Sequence, residues 1–129
     1  MALLLLDTHA FLWWLSEDRA MPESARKAIA SKSNTVMVSA ASAWEIATKV
    51  RLGKLASAAR IVEEFSAHLI NERFVGLSVT PQHGIRAGSL PGPHRDPFDR
   101  MLIAQALEEN LKIVSNERIF DGYGIARVW

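Results

Sequence analysis

The sequence contains no cysteine. That removes disulfide frameworks, thiolate metal sites and cysteine nucleophiles together, and it suits a reducing compartment. Excess charge is nearly absent too, because 15 Lys and Arg stand against 14 Asp and Glu, for a net charge of +1. No global field draws in a polyanion, so a nucleic-acid ligand must be held by a local patch. Long hydrophobic runs are also missing. The apolar stretch 2–6 is five residues long and ends at Asp7, against about 7–15 apolar residues for a signal peptide and about 20 for a spanning helix. It reads as a buried strand, and the protein is expected in the cytoplasm with no membrane partner. Gly88-Ser89-Leu90-Pro91-Gly92 lacks the spacing and the lysine of a nucleotide-phosphate loop, and no serine-elbow motif occurs.

What remains is a chain of 129 residues, 49% of them hydrophobic, long enough for one domain, spanning 1–129, with a proper core. Its pattern alternates. Strands are expected over residues 2–6, 35–39, 74–79 and 111–115, with a fifth over 126–128. Helices are expected over 8–15, 23–31, 40–52, 57–71, 80–88 and 96–110. In the fourth of these, Ile61, Phe65 and Leu69 share one face. Strands alternating with helices imply an α/β fold, a parallel sheet of four to five strands covered on both faces. Right-handed crossovers place the strand-to-helix junctions on one sheet edge, where ligands of such folds bind.

Carboxylates occupy those junctions. Asp7 ends the first strand, Glu45 lies inside the helix after the second, Asp96 and Asp99 open the helix before the fourth, and Glu117 follows the fourth. Each has a plainer reading. Asp7 and Asp96 can cap helices, Glu45 can close a capping box with Ser42, and Glu117 can be a solvated turn residue. Asp99 shares a face with Leu102, Ile103 and Ala106, and an acid facing a core needs a partner, either Arg95, Arg100 or a cation. Acids gathered together repel unless something positive sits among them. An oxygen-only donor set points to Mg²⁺ or Mn²⁺ rather than zinc, and His9, His68, His83 and His94 show no paired metal-ligand spacing. Such an ion can activate water and neutralise a phosphodiester. Lys49, Arg95 and Arg100 stand close to the acids in sequence, and Ser115 can bond a phosphate; these are the candidate substrate-binding residues.

At this point the residues resemble a family. Leu3–Leu6 followed by Asp7-Thr8-His9, Ser39 with Ser42-Ala43-Trp44-Glu45-Ile46 and Gly53-Lys54-Leu55, and the block from His94 to Ala106 are similar to PIN-domain ribonucleases, more narrowly to VapC-type toxins of bacterial toxin–antitoxin pairs. The similarity spans essentially the whole chain. It implies a three-layer α/β/α PIN-like domain and metal-dependent endoribonuclease activity. It also implies that Asp7, Glu45 and Asp99 are the core catalytic ligands, with Asp96 in support. Ser115-Asn116-Glu117 stands where the family carries Thr-x-Asp, so Glu117 reaches one methylene further than the usual ligand. A cognate antitoxin covering the groove and a homodimer follow from the same resemblance. Phe11-Leu12-Trp13-Trp14-Leu15, apolar on all sides, is either a deep core helix or faces a partner. A catalytically inactive binding module, and a phosphohydrolase acting on DNA or nucleotides, are the alternatives.

Overall fold

The apolar run at the N-terminus is a strand that both faces of the sheet bury. In the computed structural model, which describes residues 1–129, β1 spans Leu3–Leu6. The others are β2 (Thr35–Ser39), β3 (Val75–Leu77), β4 (Lys112–Val114) and β5 (Arg127–Val128). All pairings are parallel, in the order β3-β2-β1-β4-β5. Because β1 is central and successive side chains point to opposite faces, Leu4 and Leu6 join Val36, Val38 and Val114 in one core, while Leu5 joins Ile113 in the other.

Five helices cover the first face: α1 (Thr8–Ser16), α2 (Glu23–Ala30), α3 (Ala40–Arg51), α4 (Ala59–Glu63) and α5 (Phe65–Glu72). Phe11, Ile29 and Ile46 are their buried contributions to its core. On the second face lie α6 (Pro81–Ser89), α7 (Pro97–Glu109) and a 3₁₀ segment, Arg118–Tyr123. Leu102, Ile103, Ala106 and Phe120 fill the core there. The result is the three-layer α/β/α arrangement with five parallel strands. No helix is long and apolar enough to cross a membrane.

A buried polar clamp ties α6 to α7. Thr80 caps α6 by accepting the His83 N–H, and His83 Nδ1 accepts the Thr80 N–H. With Nδ1 an acceptor, the neutral ring carries its proton on Nε2, which reaches Glu109 at 3.0 Å. Gln105, also buried, donates to the Ser78 carbonyl.

Several expected elements differ. The helix expected over 57–71 is a 3₁₀ turn at Ala56–Ala58 followed by α4 and α5, broken at Glu64, where φ is −112°. The break still leaves Ile61, Val62, Phe65 and Leu69 packed on the first core, so periodicity alone could not reveal it. The third strand is shorter than expected because it is a sheet edge, with Val75 and Gly76 exposed. The 3₁₀ segment after β4 carries no periodic signal. Helix α1 is intermediate between its two expected roles: Phe11 is fully buried, whereas Leu12, Trp13, Trp14 and Leu15 are half-buried against the core.

Asn110 ends α7 in the left-handed region (φ 55°, ψ 53°), as its position suggests. Asn110→Gly is expected to match the parent in urea unfolding. Asn110→Val, whose branched side chain resists positive φ, is expected to lose about 1–2 kcal/mol with an unchanged denaturant slope.

Candidate active site

The sheet order reverses direction at β1, whose neighbours come from opposite ends of the chain. The carboxyl ends of β1 and β4 flank that switch, where α/β folds bind ligands. Asp7 follows β1 directly and is 4% exposed. Its Oδ1 accepts the Ala10 N–H at 2.8 Å, capping α1, so the cap reading is correct, and the carboxylate is also buried at the switch. From the end of β4, the fully buried Ser115 accepts the Glu117 N–H at 2.9 Å, and its hydroxyl favours the ionised form of Asp7.

Glu45 comes to the same edge from α3 and is buried. The capping-box reading fails, because Ser39 rather than Ser42 caps α3, accepting the Ala41 N–H. Instead Glu45 Oε1 accepts the Thr8 hydroxyl at 2.6 Å, and Oε2 pairs with Lys49 one turn along. Thr8 also lies 3.0 Å from the Ser42 hydroxyl. It has one proton for two contacts, so Ser42 supplies the second. Residue 8 thus connects the helix after β1 to the helix after β2.

On α7, Asp96 is the exposed N-cap, its Oδ1 accepting the Phe98 and Asp99 N–H groups at 2.9 and 3.1 Å. Asp99 stands in the first turn, half-buried, and its Oδ2 meets His94 Nε2 at 2.9 Å. The partner is therefore His94 and not either arginine. Arg100 corrects the expectation of a substrate-binding role: its guanidinium is committed to the carbonyls of Ala87, His94 and Leu90 at 3.0, 2.9 and 2.7 Å. It ties the loop before α7 to that helix. Ser115, buried and bonded to Glu117, likewise supports Asp7 and does not reach solvent. Arg95 is exposed, with no side-chain partner, and Lys49 is half-exposed.

Electrostatics show which of these groups feel one another. Burial is the largest cause pushing the Asp7 carboxyl up from 3.8 to about 6; Ser115, Ala10 and His9 oppose it, and Glu117 adds to it. Asp99 is also raised, first by burial and then by the charges of Asp96 and Glu117, against its bond to His94. The Lys49 ammonium is held above its usual value by its bond to Glu45, then by the charges of Asp96 and Asp99. Asp7, Glu45, Asp96, Asp99 and Glu117 therefore form one field in which Lys49 is the one fixed cation bonded to any of the five.

In this arrangement no three His, Asp or Glu side chains are drawn together tightly enough to hold an ion; Glu45 is paired with Lys49 and Asp99 with His94. The donor chemistry nevertheless fits a hard divalent cation: every carboxyl group supplies oxygen, and a positive charge among them relieves the repulsion and the burial cost carried by Asp7 and Asp99. Asp7 and Glu45 are buried, Asp99 is half-buried and Asp96 is exposed. A cavity of about 500 Å³ lies elsewhere, around Trp14, Lys32, Asn34 and Arg73. Thr8 and His94 escaped sequence reasoning. The Thr8 partner is on another helix, which no local spacing reveals; His94 stands two residues before a helix cap, where a side chain can fold back on the first turn.

The PIN domain family matches residues 4–125. Ribonuclease VapC22 of Mycobacterium tuberculosis is 29% identical over 119 residues, which cover 92% of this chain and 89% of that protein. VapBC2 from Rickettsia felis, solved bound to a DNA fragment from its promoter, has a chain that superposes with a TM-score of 0.69 at 17% identity, covering 97% of this chain and 96% of that one. A chain of FitAcB from Neisseria gonorrhoeae gives 0.61 at 17% identity, with 96% and 95% covered.

Two outcomes are expected. The raised Asp7 pKa means that the folded state holds this proton more tightly than the unfolded state does. Without divalent ions, stability should therefore fall as pH rises from about 4 to about 6, then level off, by about 3 kcal/mol from this group. Asp7→Asn, which keeps the Ala10 contact, should raise the neutral-pH melting temperature of the ion-free protein, and the gain should vanish near pH 4; an equal or lower melting temperature at neutral pH counts against burial as the dominant cause. Arg100→Lys, a point charge that cannot span three carbonyls, should cost about 2 kcal/mol in urea unfolding and speed proteolysis of the loop before α7.

Proposed function

The chain belongs to the PIN domain family, and from that premise we propose that it is a metal-dependent endoribonuclease toxin, a single domain over residues 1–129. The observation that carries the reading is the burial of Asp7 at the sheet's switch point, in one electrostatic field with Asp99 and Glu117. The similarity to Ribonuclease VapC22 supplies RNA as the substrate class.

Asp7, Glu45 and Asp99 are the core ligands, with Asp96 and Glu117 in support. When bound, Mg²⁺ or Mn²⁺ supplies Lewis acidity to a phosphodiester and lowers the pKa of the attacking water. The chain's own residues prepare the rest. The backbone of α1 fixes Asp7 through Ala10, and Thr8 fixes one oxygen of Glu45. Asp96 holds the first turn of α7, which presents Asp99. Lys49, half-exposed on Glu45, can exchange that carboxylate for a phosphate oxygen, and exposed Arg95 can meet the neighbouring phosphate. Hydrolysis forms a bond from water oxygen to phosphorus and breaks the bond to a ribose oxygen, which leaves with a proton.

A cognate antitoxin over the acids, a homodimer and a cytoplasmic location complete the reading. The antitoxin is supported by the VapBC assemblies among the similar structures. Protein freed of any partner should cut total cellular RNA into discrete fragments with Mg²⁺ or Mn²⁺ and not with EDTA. Asp7→Asn, Glu45→Gln and Asp99→Asn should each reduce cleavage by more than about 100-fold. A folded parent that leaves RNA intact, or Asp7→Asn cutting at the parental rate, refutes the assignment; cleavage of DNA instead redirects it to another phosphohydrolase.

A further inference from the structure

Trp44 and Phe98 are the chain neighbours of Glu45 and Asp99, on α3 and α7 respectively. Their rings meet edge to face, with centroids 4.7 Å apart and planes at 70°. The pair bridges the two helices that carry the acids. Trp44 is nonetheless 60% exposed, whereas Trp13, Trp14 and Trp129 are half-buried against the first core. An indole left mostly wet contributes little burial energy to the fold. What Phe98 gives it is orientation, because an edge-to-face contact restrains a side chain that has only two rotatable angles to lose.

An exposed, braced ring on the helix that also carries Glu45 and Lys49, with Arg95 exposed just before α7, matches the two needs of a nucleotide: a flat face for the base and cations for the phosphates. Bases inside a duplex are already stacked on both sides, so such a surface engages unpaired ones. We propose that Trp44, braced by Phe98, is the stacking platform for an unpaired nucleobase of the RNA. The proposal rests on the ribonuclease reading above. Burial of the indole under a protein partner is the competing use. Attachment of the pair to the residues preceding two acids favours the substrate, because it fixes the ring relative to the reacting groups.

The test is fluorescence anisotropy in EDTA, so that nothing is cut, with three labelled probes. They are a mixed-sequence single-stranded RNA, the same strand annealed to its complement, and the same strand built with abasic riboses. Trp44→Ala should weaken binding of the first by about tenfold or more and leave the other two unchanged, and Trp44→Phe should recover most of the loss. Equal binding of the single strand by Trp44→Ala and the parent overturns the proposal and assigns the indole to a protein surface. Parallel loss on all three probes also overturns it, as a general defect. Metal-dependent cleavage by the parent separates the two failures. A parent that cuts RNA while Trp44→Ala binds normally loses the platform alone, and a parent that neither binds nor cuts RNA loses both.

Discussion

The burial of one carboxylate organises this molecule. Asp7 must follow β1 because β1 is the central strand, and the residue after a central strand emerges between the two covering layers. There its charge has little water, and burial lifts its pKa to about 6. The surroundings answer that cost in part: an N–H of α1, the hydroxyl of Ser115 and the charge of His9 all favour the ionised form. They do not cancel it, and Glu117 works against them. A fold that retains an acid in such a place, with further acids beside it, gives up stability for the ability to attract positive charge.

The same constraint explains the polar contacts around the edge. Thr8 joins α1 to α3 through Glu45, so two crossover connections are locked together by one hydroxyl. Asp96, His94 and Arg100 together set the entry of α7, one as cap, one as partner of Asp99 and one as a tether on three carbonyls. Lys49 pairs with Glu45, and His94 is hydrogen-bonded to Asp99. Thr8, Lys49 and His94 each fix a direction for a carboxylate that the backbone alone would leave free.

Much of this was legible in the sequence, for definite reasons. Four consecutive leucines before an aspartate specify a strand buried on both sides, and Asp96-Pro97 and Asn110 mark the two ends of α7 by local backbone chemistry. The acids at the junctions could be found because strand-to-helix order fixes which edge they share. The break at Glu64 was hidden, since both halves keep the same apolar face inward. Arg100 was misread for a related reason: a basic residue beside acids looks like a phosphate ligand until carbonyls from the preceding loop and from α6 arrive to claim it. The Thr8–Glu45 bond depends on the packing of two helices and has no local signature.

The strand order has a consequence for how the protein is made. β1 pairs on one side with β2 and on the other with β4, so Leu4 lies opposite Lys112 and Leu6 opposite Val114. A ribosome that has finished β1 must still translate residues 7–111 before its second neighbour exists. Until then Asp7 has no Ser115 beside it, and α7 has no completed sheet on which to set Asp99. A chain not yet extended through β4 therefore carries Asp7, Glu45, Asp96 and Asp99 without their arrangement. Assembly of the site therefore waits for the segment that carries β4 and Ser115, the far side of the sheet from β2.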